Sequence, residues 1–464
     1  MRIFLRMTVL VALVLTGTSG LQAQLPPAAA EKIDSIVTNA LADTGAPSAS
    51  LALVKDNQIA YVKAYGQARL DPATPARPEM RYGIGSVSKQ FLAASILMLE
   101  AEGKLALDDP VGRYLPDLTR AREVTIRELL SHTSGYQDYY PLDYVAPFML
   151  VPVTPEGILD RWTKKPLDFD PGTEWQYSNT NYVVAAQILE KVTGAPLWAF
   201  LEGRIFRPLG MESPINLAGS SLTSSDAEGC TRFGLGMVRP VPPEARGWLY
   251  AAGELAMTAQ DLALWDQGLL EGKVLKPASL AEMIRTVRLK NGAPTYYALG
   301  VFVSSDSGHP RLSHGGAVSG FVSQNTVWLG QGAAVAVLTN LDGSSAPGEI
   351  TRGIGPLLLA ENQDPQAAQK LAQAQEVFSE LQAGKIDRTL LTSDADAYFT
   401  PQVLADAAAS LGPLGAPKSF EQTSTGHRGG MTYRNFRISF PSGKTLDVET
   451  FAEPDGKLAE YLIQ

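Results

Sequence analysis

Ser86 stands three residues before Lys89, at the head of the apolar run Phe91–Leu99 (FLAASILML). Such a run predicts a helix that is hydrophobic on every face and therefore buried. Side chains at i and i+3 project from one face of a helix, so the hydroxyl and the amine are neighbours. Ser86 is the expected N-cap and Gly103 the expected stop. A capping box would place Glu or Gln at position 89, and a cation there opposes the helix dipole. Local stability does not select this lysine. Burial and the positive helix end both favour its neutral amine, and a neutral amine beside a serine hydroxyl activates a nucleophile. Gly83 and Gly85 leave little bulk around Ser86, as close approach of a substrate requires.

Two further stretches carry chemistry. In PGTEWQYSNTNY (171–182), Tyr177 can relay a proton, and the Asn179 amide can hold both a lysine and a substrate carbonyl. In LSHGGAVSG (312–320), a strand delivers His314 as an orienting or proton-sharing group. Gly315 and Gly316 let a ligand lie along the strand edge, and the Ala317 N–H is a candidate oxyanion donor. Each stretch also has an ordinary reading. Ser-x-x-Lys occurs by chance on many helices, Asn179 can be a plain helix cap, and His-Gly-Gly can be a glycine bulge with a surface histidine.

The elements that must position these groups are legible. KIDSIVTNALADTG predicts an amphipathic helix ending at Gly45, and SASLALVKDNQIAYVKAYG a β-hairpin turning at Asp56-Asn57. Helical stretches follow at Asn181–Val192 and Leu197–Phe206, and at TAQDLALWDQGLLEG with Thr258 as cap. Strands return in YYALGVFVSS, RLSHGG, GFVSQNTVWLG and AAVAVLTN before TRGIGPLLLAE closes the unit. Strands at both ends of a helical middle predict one α/β domain whose sheet joins distant chain segments. After the linker-like ENQDPQAAQ, a helix ending at Gly384 and three strand candidates (KSFEQTSTGH, MTYRNFRISF, KTLDVETFAE) predict a small α+β domain. The expected boundaries are 1–23 for a signal peptide, 24–362 for the first domain and 366–464 for the second.

Bulk properties exclude several classes. The chain has 464 residues, 19% charged and 45% hydrophobic, the balance of a globular protein. A net charge of −9 and the lack of a basic run argue against a nucleic-acid partner. Arg2, Arg6 and the short apolar stretch Met7–Leu15 form a signal peptide with a cut near Ala23, too short to span a bilayer. Its removal leaves no membrane span and implies a periplasmic or secreted protein. One cysteine, Cys230, excludes an internal disulfide, and four histidines without metal-like spacing argue against a metal site.

In order and spacing, Ser86-x-x-Lys89, Tyr177-x-Asn179 and His314-Gly315-Gly316 together resemble the serine β-lactamase and penicillin-binding-protein superfamily. The resemblance is most specific to the class C β-lactamase-related serine hydrolases, which include esterases, D-stereospecific peptidases and D-aminopeptidases. LLSHTSGY (129–136) and AAGELAMTAQDLALW (251–265) agree with it, and it covers roughly residues 28 to 360. It implies an antiparallel sheet flanked by helices. It also implies Ser86 as the acyl-accepting nucleophile, Lys89 as its base, Tyr177 as activator of serine and water, and Asn179 as the group orienting Lys89 and substrate. The N–H groups of Ser86 and Ala317 would form the oxyanion hole, with no metal or organic cofactor. His132 reads as structural, heading a turn without an obvious partner.

The chain departs from β-lactamases at the late strand, where His-Gly-Gly replaces Lys-Thr-Gly. The missing ammonium and hydroxyl hold a β-lactam carboxylate, and a charge-assisted hydrogen bond contributes roughly 1.5–3 kcal/mol. Weak or absent β-lactamase activity is expected, with an ester or a D-amino-acid amide or peptide as substrate. GYQDYYPLDY (135–144) reads as a cleft-lining segment whose Asp138 and Asp143 receive a substrate amine, or else as a solvated loop. The C-terminal segment resembles nuclear-transport-factor-like folds in its helix-then-meander order alone, and could cap the cleft, mediate dimerisation or hold a cell-wall ligand. The competing reading is a muropeptide or β-lactam binding module that does not hydrolyse or deacylates slowly. Oligomeric state is not set by the sequence.

Overall fold

The computed structural model describes residues 25–142, 144–306, 308–359 and 366–464. The expected signal peptide, Asp143 and the first part of the linker lie outside the described residues. Two compact units result. One contains the chain to Val303 and Leu312–Leu358; the other contains Leu359–Gln464 and Ser304–Arg311.

The first unit opens with α1 (Pro27–Thr44), which ends on Gly45 in the left-handed region. Strands β1 (Ser48–Lys55) and β2 (Gln58–Leu70) form the expected hairpin. Asp56 and Asn57, at φ 53° and 59°, supply its two-residue turn. A short β3 (Ala73–Pro75) follows. Helix α2 (Lys89–Ala101) buries ten of its thirteen residues, Lys89 among them. Phe91 fixes it against Trp265, with ring centroids 4.2 Å apart. Helices α3 (Asn179–Thr193) and α4 (Ala259–Leu270) pack in the same unit, the second capped by the Thr258 hydroxyl accepting from the Asp261 N–H.

The late strands are β4 (Phe302–Asp306), β5 (His309–Val318), β6 (Phe321–Trp328) and β7 (Ala333–Thr339), followed by α5 (Ala346–Leu358). They join the first hairpin in one sheet of seven, ordered β3-β2-β1-β7-β6-β5-β4. The seam is β1 against β7, antiparallel, with Ala49 opposite Thr339. Distant chain ends thus share a sheet, as the sequence pattern requires.

Several local expectations are corrected. Ser86 is not an N-cap but lies in a 3₁₀ turn, Gly85–Ser88, ahead of α2. The strand expected over YYALGVFVSS is confined to β4. Tyr296 and Gly300 take positive φ (56° and 77°), and Tyr297 turns inward instead. Leu197–Phe206 is an α-helix only to Leu201, with a π-type turn over Glu202–Phe206.

In the second unit, α6 (Ala367–Gln382) is followed by two helices that periodicity does not show, α7 (Ser393–Tyr398) and α8 (Pro401–Leu411). Each is capped by a threonine, Thr392 and Thr400. The meander has four strands rather than three: β8 (Ser419–Arg428), β9 (Met431–Ser439), β10 (Thr445–Ala452) and β11 (Leu458–Ile463). Phe378, Phe420, Phe436 and Ile438 centre its own core.

Candidate active site

The 3₁₀ turn sets Ser86 immediately ahead of α2, beside Lys89. Lys89 Nζ lies 2.9 Å from Ser86 Oγ, 2.8 Å from Asn179 Oδ1 and 2.7 Å from the Ala252 carbonyl. Lys89 is fully buried: as an ammonium it donates to all three oxygens, and as a neutral amine it donates to two and accepts from the Ser86 hydroxyl. The rings of Tyr177 and Tyr182 stand 4.9 and 5.3 Å from Nζ. Burial lowers the Lys89 pKa to about 7, against a partial opposing pull from the Asp138 carboxylate.

Asn179 is held in turn. Asp138 Oδ1 accepts from its backbone N–H at 2.9 Å, and both carboxylate oxygens receive its side-chain amide at 3.2 Å. Asp138 is therefore committed to the floor of the site rather than to a substrate amine. Its pKa is raised by burial, with backbone hydrogen bonds from Tyr140 and Asn179 opposing. Its neighbours Tyr136 and Tyr139 are core residues, so this half of GYQDYYPLDY does not line the cleft as expected. Apolar packing and polar anchoring claim the same few residues, and a one-dimensional pattern cannot separate them.

Tyr177 is half-buried with its hydroxyl enclosed, and that burial raises its phenol pKa while the Ser86 hydroxyl beside it opposes the shift. The phenol has no hydrogen-bond partner of normal geometry. His132 lies under its ring, centroids 4.1 Å apart, and His132 Nδ1 accepts the Ser178 N–H at 3.2 Å. The histidine that the sequence left without a partner thus supports the Tyr177-Ser178 backbone from below. Burial keeps it neutral.

His314 is buried one shell away. Its Nδ1 is 2.6 Å from the Gly315 carbonyl and its Nε2 is 2.9 Å from the Tyr297 hydroxyl. A carbonyl can only accept, so the proton sits on Nδ1 and Nε2 accepts from Tyr297. Burial, then the nearby lysine, push its pKa down to about 3. Both nitrogens are occupied, which favours orienting over proton-sharing. Tyr297 was not singled out from sequence; its only signal was a position within an expected strand.

Gly316 and Gly85 are sterically required. A Cβ on Gly316 would stand 1.9 Å from the Ile84 carbonyl oxygen, and one on Gly85 would stand 2.6 Å from the Ala317 nitrogen. The Ala317 amide is therefore beside the residue preceding Ser86. The two-residue turn joining Val318 to Phe321 makes these two the hydrogen-bonded pair of the hairpin. Ala317, one residue back, then directs its N–H away from β6.

Glu254 is a second group the sequence did not mark. It is buried two residues beyond the Ala252 carbonyl that receives Lys89, and burial raises its pKa to about 7. Its carboxylate receives the Ala251 N–H, at a residue held at φ 58°. Among the described residues no group of three or more His, Cys, Asp or Glu side chains is placed to hold a metal ion, and no helix is long and apolar enough to cross a membrane.

A seven-stranded antiparallel sheet flanked by helices, with serine and lysine paired at the head of a buried helix, defines a β-lactamase/transpeptidase-like fold. The β-lactamase family model matches residues 33–354, and the chain belongs to that family. It is a serine hydrolase of the β-lactamase-related group. It is 28% identical over 325 residues to PbpX of Bacillus subtilis, a protein named as a penicillin-binding protein by similarity to that class, covering 70% of this chain and 78% of the relative. It is 27% identical over 306 residues to a D-aminopeptidase of Brucella anthropi, covering 65% of this chain but only 57% of that protein. Among solved structures, a D-stereospecific amidohydrolase from Streptomyces superposes with a TM-score of 0.61 at 28% identity, over 69% of this chain and 97% of that one.

Proposed function

We propose that the protein is an exported serine hydrolase that cleaves esters or D-amino-acid amides and peptides through an acyl-enzyme on Ser86. The observation that carries this reading is the buried Lys89 amine, its pKa near 7, at 2.9 Å from Ser86 Oγ. Relatives named as a D-aminopeptidase and a D-stereospecific amidohydrolase favour the D-amino-acid side of it.

In this mechanism neutral Lys89 takes the hydroxyl proton as Ser86 Oγ bonds to the substrate carbonyl carbon. The negative charge on the carbonyl oxygen is met by the N–H groups of Ser86 and Ala317. The tetrahedral species collapses, the C–O or C–N bond breaks, and the leaving group receives the proton through the Tyr177 phenol. Water then adds to the acyl carbon, losing its proton by the same route, and the acid leaves as Ser86 regains its hydrogen. Because burial raises the Tyr177 pKa, the phenol works as a relay in its protonated form. Asn179, anchored by Asp138, keeps Lys89 aimed at Ser86, and His314 with Gly315 and Gly316 holds the strand that carries Ala317.

Neutral His314, with both nitrogens engaged, provides no cation for a β-lactam carboxylate, which supports weak β-lactamase activity. Residues 1–23 act as the signal that exports the protein to the periplasm or beyond; 24–362 form the catalytic domain, and 366–464 a separate α+β domain. The test is p-nitrophenol release from p-nitrophenyl butyrate, with intact mass of the wild type and Ser86→Ala. Release with a serine-dependent butyryl adduct supports the reading; release that persists in Ser86→Ala overturns it.

A further inference from the structure

A cavity of about 380 Å³ opens where β5 ends, lined by Val318 and Phe321 of the sheet, Ser319 of the turn between them, and Leu217, Leu222 and Leu249. Glu244 lines it too. One of its oxygens, Oε1, accepts from the Tyr140 hydroxyl at 2.6 Å and from the Ser319 N–H at 3.2 Å. Both donors are neutral groups, so neither is a counter-ion to the carboxylate. Among the described residues no cation pairs with Glu244, whereas Glu228 in the same cavity is paired with Arg69 at 2.9 Å. Arg246, exposed at the rim, is the remaining cation there.

Position relative to the reacting atoms gives this carboxylate its meaning. Successive residues of an extended chain advance about 3.4 Å, so the Ser319 amide is about 7 Å along the edge from the Ala317 amide. Amides two residues apart in extended chain face the same side. Glu244, held on the Ser319 amide, thus stands about two residues along the same strand edge from Ala317, within reach of an acyl group laid along that edge toward the cavity.

Resting on the hydrolase reading above, we propose that Glu244 binds a free α-ammonium on the acyl half of the substrate and that the cavity takes an apolar side chain from the same carbon. The enzyme then prefers acyl groups with an unblocked amine: aminoacyl amides and esters rather than N-acylated ones. Acetylation removes the charge and leaves the carboxylate unpaired against a bulky amide.

Three substrates separate the two readings: D-phenylalanine p-nitroanilide, its N-acetyl derivative, and p-nitrophenyl butyrate, which has neither amine nor large side chain. The free amine is expected to lead the acetylated compound in kcat/KM by about 100-fold or more. Glu244→Gln, which keeps hydrogen-bonding capacity toward Tyr140 and Ser319, is expected to reduce that preference to within about tenfold. Ser86-dependent butyrate cleavage without any amine preference overturns this inference and leaves the hydrolase standing. An equal loss in Glu244→Gln on the free and acetylated substrates likewise overturns it, as a purely structural role. Should no substrate turn over, calorimetry of D-phenylalanine amide with Ser86→Ala still decides. Binding weakened at least about tenfold by adding Glu244→Gln supports the anchor, and binding that is absent or unchanged refutes it.

Discussion

Around Ser86 a lysine, two histidines and a glutamate are buried, with an aspartate half-buried beside them, and the pKa of each is displaced by burial. The C-terminal unit buries mainly phenylalanine, valine and leucine, with Arg434 the one charged side chain buried there among the described residues. There Arg437 and Asp447 shift only through an exposed ion pair across neighbouring strands. Folding alone produces the second pattern, since an ionisable group costs free energy when taken from water. The first persists because each buried group has at least one hydrogen-bond partner, backbone or side chain, and because the chemistry needs an amine near neutrality. The contrast separates a region shaped by reaction from one shaped by packing.

Substitutions probe that contrast with effects of decreasing size. Ser86→Ala is expected to lower acylation by about 10⁴-fold or more, measured by p-nitrophenol burst and intact mass. Lys89→Ala is expected to abolish turnover similarly while circular dichroism stays native. Replacement by methionine, which fills the space, should raise thermal stability. Here the sign follows from the depressed pKa. The unfolded lysine stays protonated to its ordinary value of 10.5 and the folded one only to about 7. The burial cost is therefore full below about pH 7 and fades as pH rises toward 10.5, so the gain in Lys89→Met should be larger at pH 7 than at pH 9. In the C-terminal core, Phe378→Ala is expected to cost about 3–5 kcal/mol by denaturant unfolding, with p-nitrophenyl butyrate turnover retained. Asp138→Asn is expected to lower kcat about tenfold through a loosened Asn179. It should also move the acid limb of the pH profile downward, because the Asp138 charge raises the Lys89 pKa. An unmoved limb would separate Asp138 from the lysine.

Much of the molecule was legible where a local signal coincides with a tertiary need. The first hairpin was marked by Asp56-Asn57, the closing sheet by four apolar late stretches, and Ser86 with Lys89 by an amine that helix energetics disfavour. Illegible residues act through space. Asp138 reaches Asn179 across 41 positions, and Tyr297 reaches His314 after leaving its expected strand. His132 draws its meaning from Tyr177, which only the fold brings over it. Helices α7 and α8 escaped because they are short and mostly exposed, so their apolar periodicity is weak and their threonine caps are the main local mark. The fourth strand of the meander, β11, lay beyond the last turn signal, Pro454-Asp-Gly456.

The most direct measurement is the pH dependence of the Ser86 acylation rate with p-nitrophenyl butyrate, in the pre-steady state. A single ionisation near pH 7, absent in Lys89→Ala, is the expected result for a buried lysine acting as the base. A rate that keeps climbing to pH 10 in the wild type, or a limb near 7 that survives in Lys89→Ala, would contradict it.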